Sequence, residues 1–188
     1  MKLNILMVSY RGFVCFIPLI FIHLLNTCNR YGKSEGTPTE KGLQEDAKVA
    51  LDFVLQHPKT NNTPIYLYGQ SIGGAVCIDL ASRYPEQIKA MIIENTFTSI
   101  PDLIPSLLPL LKPFKFLCTE VWNSKSSIRR IGKDTHVLFL SGNDDEIVPN
   151  SHMKLLYKLV NKDRNSSEKY NSNNVLCQFH SFPFGTHS

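Results

Sequence analysis

Gly69-Gln70-Ser71-Ile72-Gly73 sets a serine at the centre of a G-x-S-x-G spacing. A serine hydroxyl is a poor nucleophile at neutral pH. It attacks a carbonyl only when a base takes its proton and an acid orients that base. The flanking glycines, Gly69 and Gly73, suit a sharp turn in which an approaching strand and a departing helix leave no room for side chains. Such a turn lifts the hydroxyl above the strand end. It also aims the amide of Ile72 and the helix N-terminus at the place where an oxyanion would form. The spacing alone also fits a Gly-rich strand–helix turn that packs closely or binds phosphate. The flanks favour the nucleophile, because the apolar run Ile65–Tyr68 comes just before and a helical stretch just after.

Acid and base candidates lie further along the chain. Asp144, Asp145 and Glu146 follow the apolar run Val137–Ser141. Spacing leaves all three open for the orienting role, and each would also serve to cap the next helix. His187 follows the run Val175–Phe182, in a loop placed to reach back to the serine. His180 lies inside that run and reads as a wall residue. His23, His57, His136 and His152 have no matching position and read as ordinary surface or core residues. The order Ser, acid, His suits a serine nucleophile on a strand-to-helix turn.

These residues need elements to hold them. Asn4–Ser9, Ile65–Tyr68, Ile88–Glu94, Val137–Ser141 and Val175–Phe182 read as short buried strands. Between them, Thr39–Gln56 repeats apolar residues at steps of three and four, and Pro58 ends it. Ala75–Tyr84 and Pro149–Lys162 also read as helices. Pro101, Pro105, Pro109 and Pro113 recur at steps of four, which excludes one long helix over 95–130 and predicts short helices and turns. Residues 163–174 read as a polar loop. Strands alternating with helices predict an α/β fold, a parallel sheet covered by helices on both faces.

The 188 residues suit one domain. A composition 43% apolar and 19% charged is globular. The net charge of +4 is scattered, which gives no support to nucleic-acid binding. Cys15, Cys28, Cys77, Cys118 and Cys177 are odd in number and contain no C-x-x-C pair, so they read as small buried hydrophobes. No metal or cofactor is expected. Asn61 and Asn165 begin glycosylation-type triplets, which are too common to decide anything. Phe13–Leu25 is a charge-free run of thirteen residues, shorter than the ~20 a membrane span needs.

The chain resembles one branch of the α/β-hydrolase superfamily, the Bem-type and alpha/beta-hydrolase-domain-13-like serine hydrolases. The resemblance is carried by NILMVSYRG (4–12), YGKSEGTPTEKGLQEDAKVALDFV (31–54), IYLYGQSIGGAVCIDLA (65–81), IIENTFTSIPDL (92–103), LFLSGNDDEIVP (138–149) and FPFGTH (182–187). It implies a membrane-associated serine hydrolase with its triad on Ser71, Asp145 and His187. The family pattern, in which the acid precedes two residues and an apolar-Pro pair, favours Asp145 over Asp144. Residues 95–130 correspond to a cap over the pocket, and the family association points to a lipid-like acyl substrate.

Two departures shape the expectation for this chain. Phe13–Arg30 interrupts a loop that is continuous in the family, and an apolar block there suits a translated intron better than a membrane-inserting loop. The family also carries three strands, a membrane anchor and a His-Gly-Asn-type oxyanion loop ahead of the strand Asn4–Ser9. The expectation is therefore a partial domain, missing its first strands. The function expected is cleavage of an ester, thioester or amide. The alternatives are an inactive fragment, because one oxyanion donor is worth about 10²–10³ in rate, or a membrane-docking module built on Phe13–Leu25 and Ile104–Phe116. Membrane association is the expected localisation, and the cytoplasm otherwise.

Overall fold

The computed structural model describes residues 39–110, 113, 116, 118–165 and 177–187. The expected strand Asn4–Ser9, the run Phe13–Leu25, Cys15, Cys28 and most of the polar stretch 163–174 lie outside the described residues. The described residues up to Thr63, together with Cys118–Glu120, form one compact unit. Those from Pro64 onward, apart from 118–120, form another.

The first unit holds helix α1, Glu40–Gln56. Thr39 caps it, its side-chain oxygen accepting from the amide of Gly42 at 3.0 Å. Leu43, Ala47 and Leu51, four apart, form its buried stripe. The residue before Pro58 is driven out of the helical region, and His57 is accordingly extended and ends α1. The Glu120 carboxylate accepts from the amide of Glu40.

The second unit is built on four parallel strands in the order β1-β2-β3-β4. They are β1 (Ile65–Gln70), β2 (Ile88–Glu94), β3 (His136–Gly142) and β4 (Cys177–Phe182). The connecting helices are α2 (Ile72–Arg83), α3 (Ile100–Leu107), α4 (Ser124–Ser127), which runs into a 3-10 turn at Ile128–Arg130, and α5 (Asn150–Asn165). Met91, Ile93, Val137 and Phe139 are fully buried in the two central strands. Helix α2 packs along β1 and β2, and α5 along β3 and β4. The ring of Tyr157 on α5 meets Phe139 edge-on. On the opposite face of the sheet Tyr66, Tyr68 and Ile92 are exposed among the described residues.

The helix expected from Ala75 begins three residues earlier, at Ile72. Gly73 and Gly74 have poor helix propensity, yet both lie inside it. The Pro-rich stretch forms short helices as expected, with Pro101 in the first turn of α3 and Pro105 inside it. Cys77 and Cys177 are buried and Cys118 is half-buried. Burial pushes the Cys77 thiol up to about 12.

Register brings the carboxyl ends of the strands level. Gln70 pairs with Glu94, Glu94 with Leu140, and Leu140 with His180. In open α/β sheets, the loops leaving this edge form the crevice where ligands bind.

Candidate active site

Ser71 follows directly on β1 and directly precedes α2, at φ 53° and ψ −121°. That conformation is costly for a residue with a Cβ. The surroundings hold it from both sides. The Ser71 amide donates to the Glu94 carbonyl at 2.9 Å, and the Thr96 hydroxyl donates to the Ser71 carbonyl at 2.6 Å. A Cβ on Gly69 would sit 2.3 Å from the carbonyl oxygen of Gly73, so the incoming strand and outgoing helix do crowd each other there. At Gly73 the expected crowding is absent, since an added Cβ would meet nothing within 4 Å. The crowded helical glycine is Gly74, against Thr96.

His187 and Asp145 meet at this turn. Ser71 Oγ lies 3.0 Å from His187 Nε2. His187 Nδ1 lies 2.9 Å from Asp145 Oδ2 and 3.1 Å from Oδ1. The Asp145 side chain is fully buried and His187 is largely so. Asp145 Oδ1 also accepts from the amides of Ile147 at 2.9 Å and Val148 at 2.7 Å. A carboxylate placed only among donors needs its proton partner on the ring. Nδ1–H of His187 therefore donates to Asp145, and Nε2 is left to accept from Ser71.

The other candidates are elsewhere. Asp144 and Glu146 are exposed, and neither reaches His187. The Asp144 amide donates to the Gly185 carbonyl at 3.0 Å, one of several ties between the acid loop and the base loop. His180 is exposed on β4. His152 is buried on α5, where its Nδ1 accepts from the amide of Thr98 at 3.3 Å. Desolvation lowers its pKa, the nearby Asp102 opposing and Lys125 assisting. Ile72 is the first residue of α2, and first-turn amides have no acceptor within their own helix. No cluster of His, Cys, Asp or Glu suited to a metal occurs among the described residues.

Three polar residues with no place in the sequence reading hold the site together: Asn95, Thr96 and Gln70. The Gln70 side chain donates to the His187 carbonyl at 3.0 Å. Asn95 and Thr96 directly follow the apolar strand β2. A polar pair at a strand's carboxyl end, opposite the serine turn, is the one signal that could have found them.

A family model described as Hydrolase_4, serine aminopeptidase S33, matches residues 30–128, more than half of the chain. The chain belongs to this α/β-hydrolase family. Protein bem46 of Schizosaccharomyces pombe is 42% identical across 100% of this chain and 53% of its own length. An uncharacterized membrane protein of Saccharomyces cerevisiae is 41% identical across 84% of this chain and 51% of its own. The chain thus spans about half the length of the curated relatives it matches. The crystal structure of an alpha-beta hydrolase from Vibrio vulnificus superposes with a TM-score of 0.65 at 20% identity, covering 84% of this chain and 54% of that one. That likeness fixes the fold as that of the α/β-hydrolases. Among the described residues, no helix is long and apolar enough to cross a membrane.

Proposed function

We propose that this protein is a serine hydrolase that cleaves an ester, thioester or amide through Ser71, His187 and Asp145. The observation that carries the reading is the continuous hydrogen-bonded line Ser71 Oγ–His187 Nε2 at 3.0 Å and His187 Nδ1–Asp145 Oδ2 at 2.9 Å. Ser71 Oγ attacks the acyl carbon while its proton passes to His187 Nε2. Asp145 holds the imidazolium that forms. The negative charge moves to the carbonyl oxygen, where the amide of Ile72 and the N-terminus of α2 stabilise it. Collapse breaks the bond to the leaving group, which takes the proton from Nε2. Water then attacks acyl-Ser71, gives its proton to Nε2, and releases the acid as Ser71 Oγ regains a proton.

The substrate we propose is a lipid-like acyl compound met at a membrane surface. Two features support this class: one relative is named a membrane protein, and Leu110 and Phe116 of the Pro-rich stretch are exposed. A fluorophosphonate probe tests the chemistry. It should label the folded 188-residue chain at Ser71 and fail to label Ser71→Ala. A folded chain that takes no label would sink the reading.

A further inference from the structure

The carboxyl end of β2 and the loop after it touch the backbone at all three corners of the site. Glu94 and Thr96 hold Ser71 by its amide and its carbonyl, as described above. Asn95 stands between them, 3% exposed, at φ 42°. Asparagine is among the few residues with a side chain that adopt this left-handed conformation at modest cost.

The amide group of Asn95 uses both its ends across two other loops. Its Oδ1 accepts from the amide of Gly142 at 2.8 Å, at the start of the loop that carries Asp145. Its Nδ2 donates to the carbonyl of Thr186 at 2.8 Å, the residue directly before His187. Its own backbone N–H donates to the Leu140 carbonyl at 3.1 Å. The partners also fix which end of the amide is which, since Oδ1 faces a donor and Nδ2 faces an acceptor. One planar group therefore sets the spacing between the acid loop and the base loop, on a segment that already fixes the serine.

We propose that Asn95 is a positioning residue for the hydrolysis, acting through the backbone of Thr186 and Gly142 to hold His187 in line with both Ser71 and Asp145. This rests on the triad reading given above. His187 follows Thr186 immediately, so release of the Thr186 carbonyl lets the imidazole shift without removing any group that touches substrate. A misplacement of about 1 Å in a reacting group costs about 10² in rate. The segment Gln70–Ser71 keeps its own ties to Glu94 and Thr96, so the nucleophile stays put while the base moves.

The test is Asn95→Asp in the full 188-residue chain. Ionised, the new carboxylate keeps the acceptor toward Gly142 and removes the donor toward Thr186 with almost no change of shape, but it adds a buried negative charge. Asn95→Gly, measured beside it, removes the donor without adding the charge. Hydrolysis of p-nitrophenyl acetate and fluorophosphonate labelling are measured well below each protein's melting midpoint. The expected result is a fall in kcat of about 10- to 100-fold with KM unchanged. A purely structural residue, in a protein still folded, would leave kcat alone. Where Asn95→Asp does not melt cooperatively, Asn95→Gly alone carries the test, because glycine accepts φ 42° without strain. It should show the same selective loss. Wild-type kcat in a folded variant, beside a wild-type chain that labels at Ser71, overturns the role of Asn95 and leaves the triad standing. A wild-type chain that does not label overturns both.

Discussion

Gly74 and Thr96 touch so closely that a Cβ on Gly74 would sit 2.7 Å from Thr96 Cβ and 2.9 Å from its hydroxyl oxygen. Thr96 is fully buried and its hydroxyl is tied to the Ser71 carbonyl, so it has no room to swing aside. Gly74→Ala should therefore cost about 1–3 kcal/mol of stability, the usual range for overpacking. It should also loosen Ser71 and slow probe labelling. Gly73→Ala, one residue earlier, meets open space and should be neutral or stabilising by up to about 1 kcal/mol through helix propensity. Urea denaturation of the two variants separates them. Equal stabilities would show that Thr96 does not clamp the turn.

Asp145 is the acid that reaches His187, and its exposed neighbours provide the control. In Asp145→Asn, the amide oxygen still accepts from Ile147 and Val148. The amide nitrogen then faces His187 Nδ1, donor against donor. The ring responds by moving its proton to Nε2, which no longer accepts from Ser71. Hydrolysis should fall by about 10⁴ while the fold survives, as is usual when the acid of a Ser-His-Asp triad becomes an amide. Asp144→Asn should leave the rate unchanged. A full rate in folded Asp145→Asn would remove Asp145 from the mechanism.

The same two examples mark what a sequence reveals. The strands β1, β2 and β3 are legible because each is a short apolar run, and α5 because it follows a proline after one. The start of α2 is hidden, since Gly73 and Gly74 look like loop, although Gly73 faces open space and Gly74 sits tight against the Thr96 side chain. Spacing leaves Asp144, Asp145 and Glu146 equivalent, and it is burial, the amides of Ile147 and Val148 and the contact with His187 that separate them. The family resemblance points to Asp145, but through a pattern rather than a physical cause. Asn95 and Thr96 stay unread for a related reason. Polar residues after a strand look like any solvated loop until long-range partners, such as Thr186, are in place.

His152 provides a pH test away from the proposed chemistry. Thr98 donates its amide to Nδ1 at 3.3 Å, and the Thr98 hydroxyl lies 2.9 Å from the same nitrogen while also bonding Asp102 at 3.0 Å. Lys125 pairs with Asp102 at 2.7 Å. The Thr98 hydroxyl gives its proton to Asp102, so it is the Thr98 amide that makes Nδ1 an acceptor, and protonating Nδ1 would set it against that amide, donor against donor. Desolvation, opposed by Asp102 and aided by Lys125, holds the native pKa below the ordinary 6.5. The unfolded chain then binds the proton more readily than the native one. This group's contribution to stability is complete above about pH 6.5 and is lost as pH falls through the lowered native value. In His152→Asn, the side-chain oxygen keeps the acceptor toward Thr98 and cannot titrate. Urea midpoints measured from about pH 8 down to about pH 5 should fall less steeply for the variant than for the wild type. Asp102 and Lys125 are common to both proteins, so their own titration drops out of the comparison. Parallel curves would mean that His152 takes up its proton in the native state as easily as in the unfolded chain.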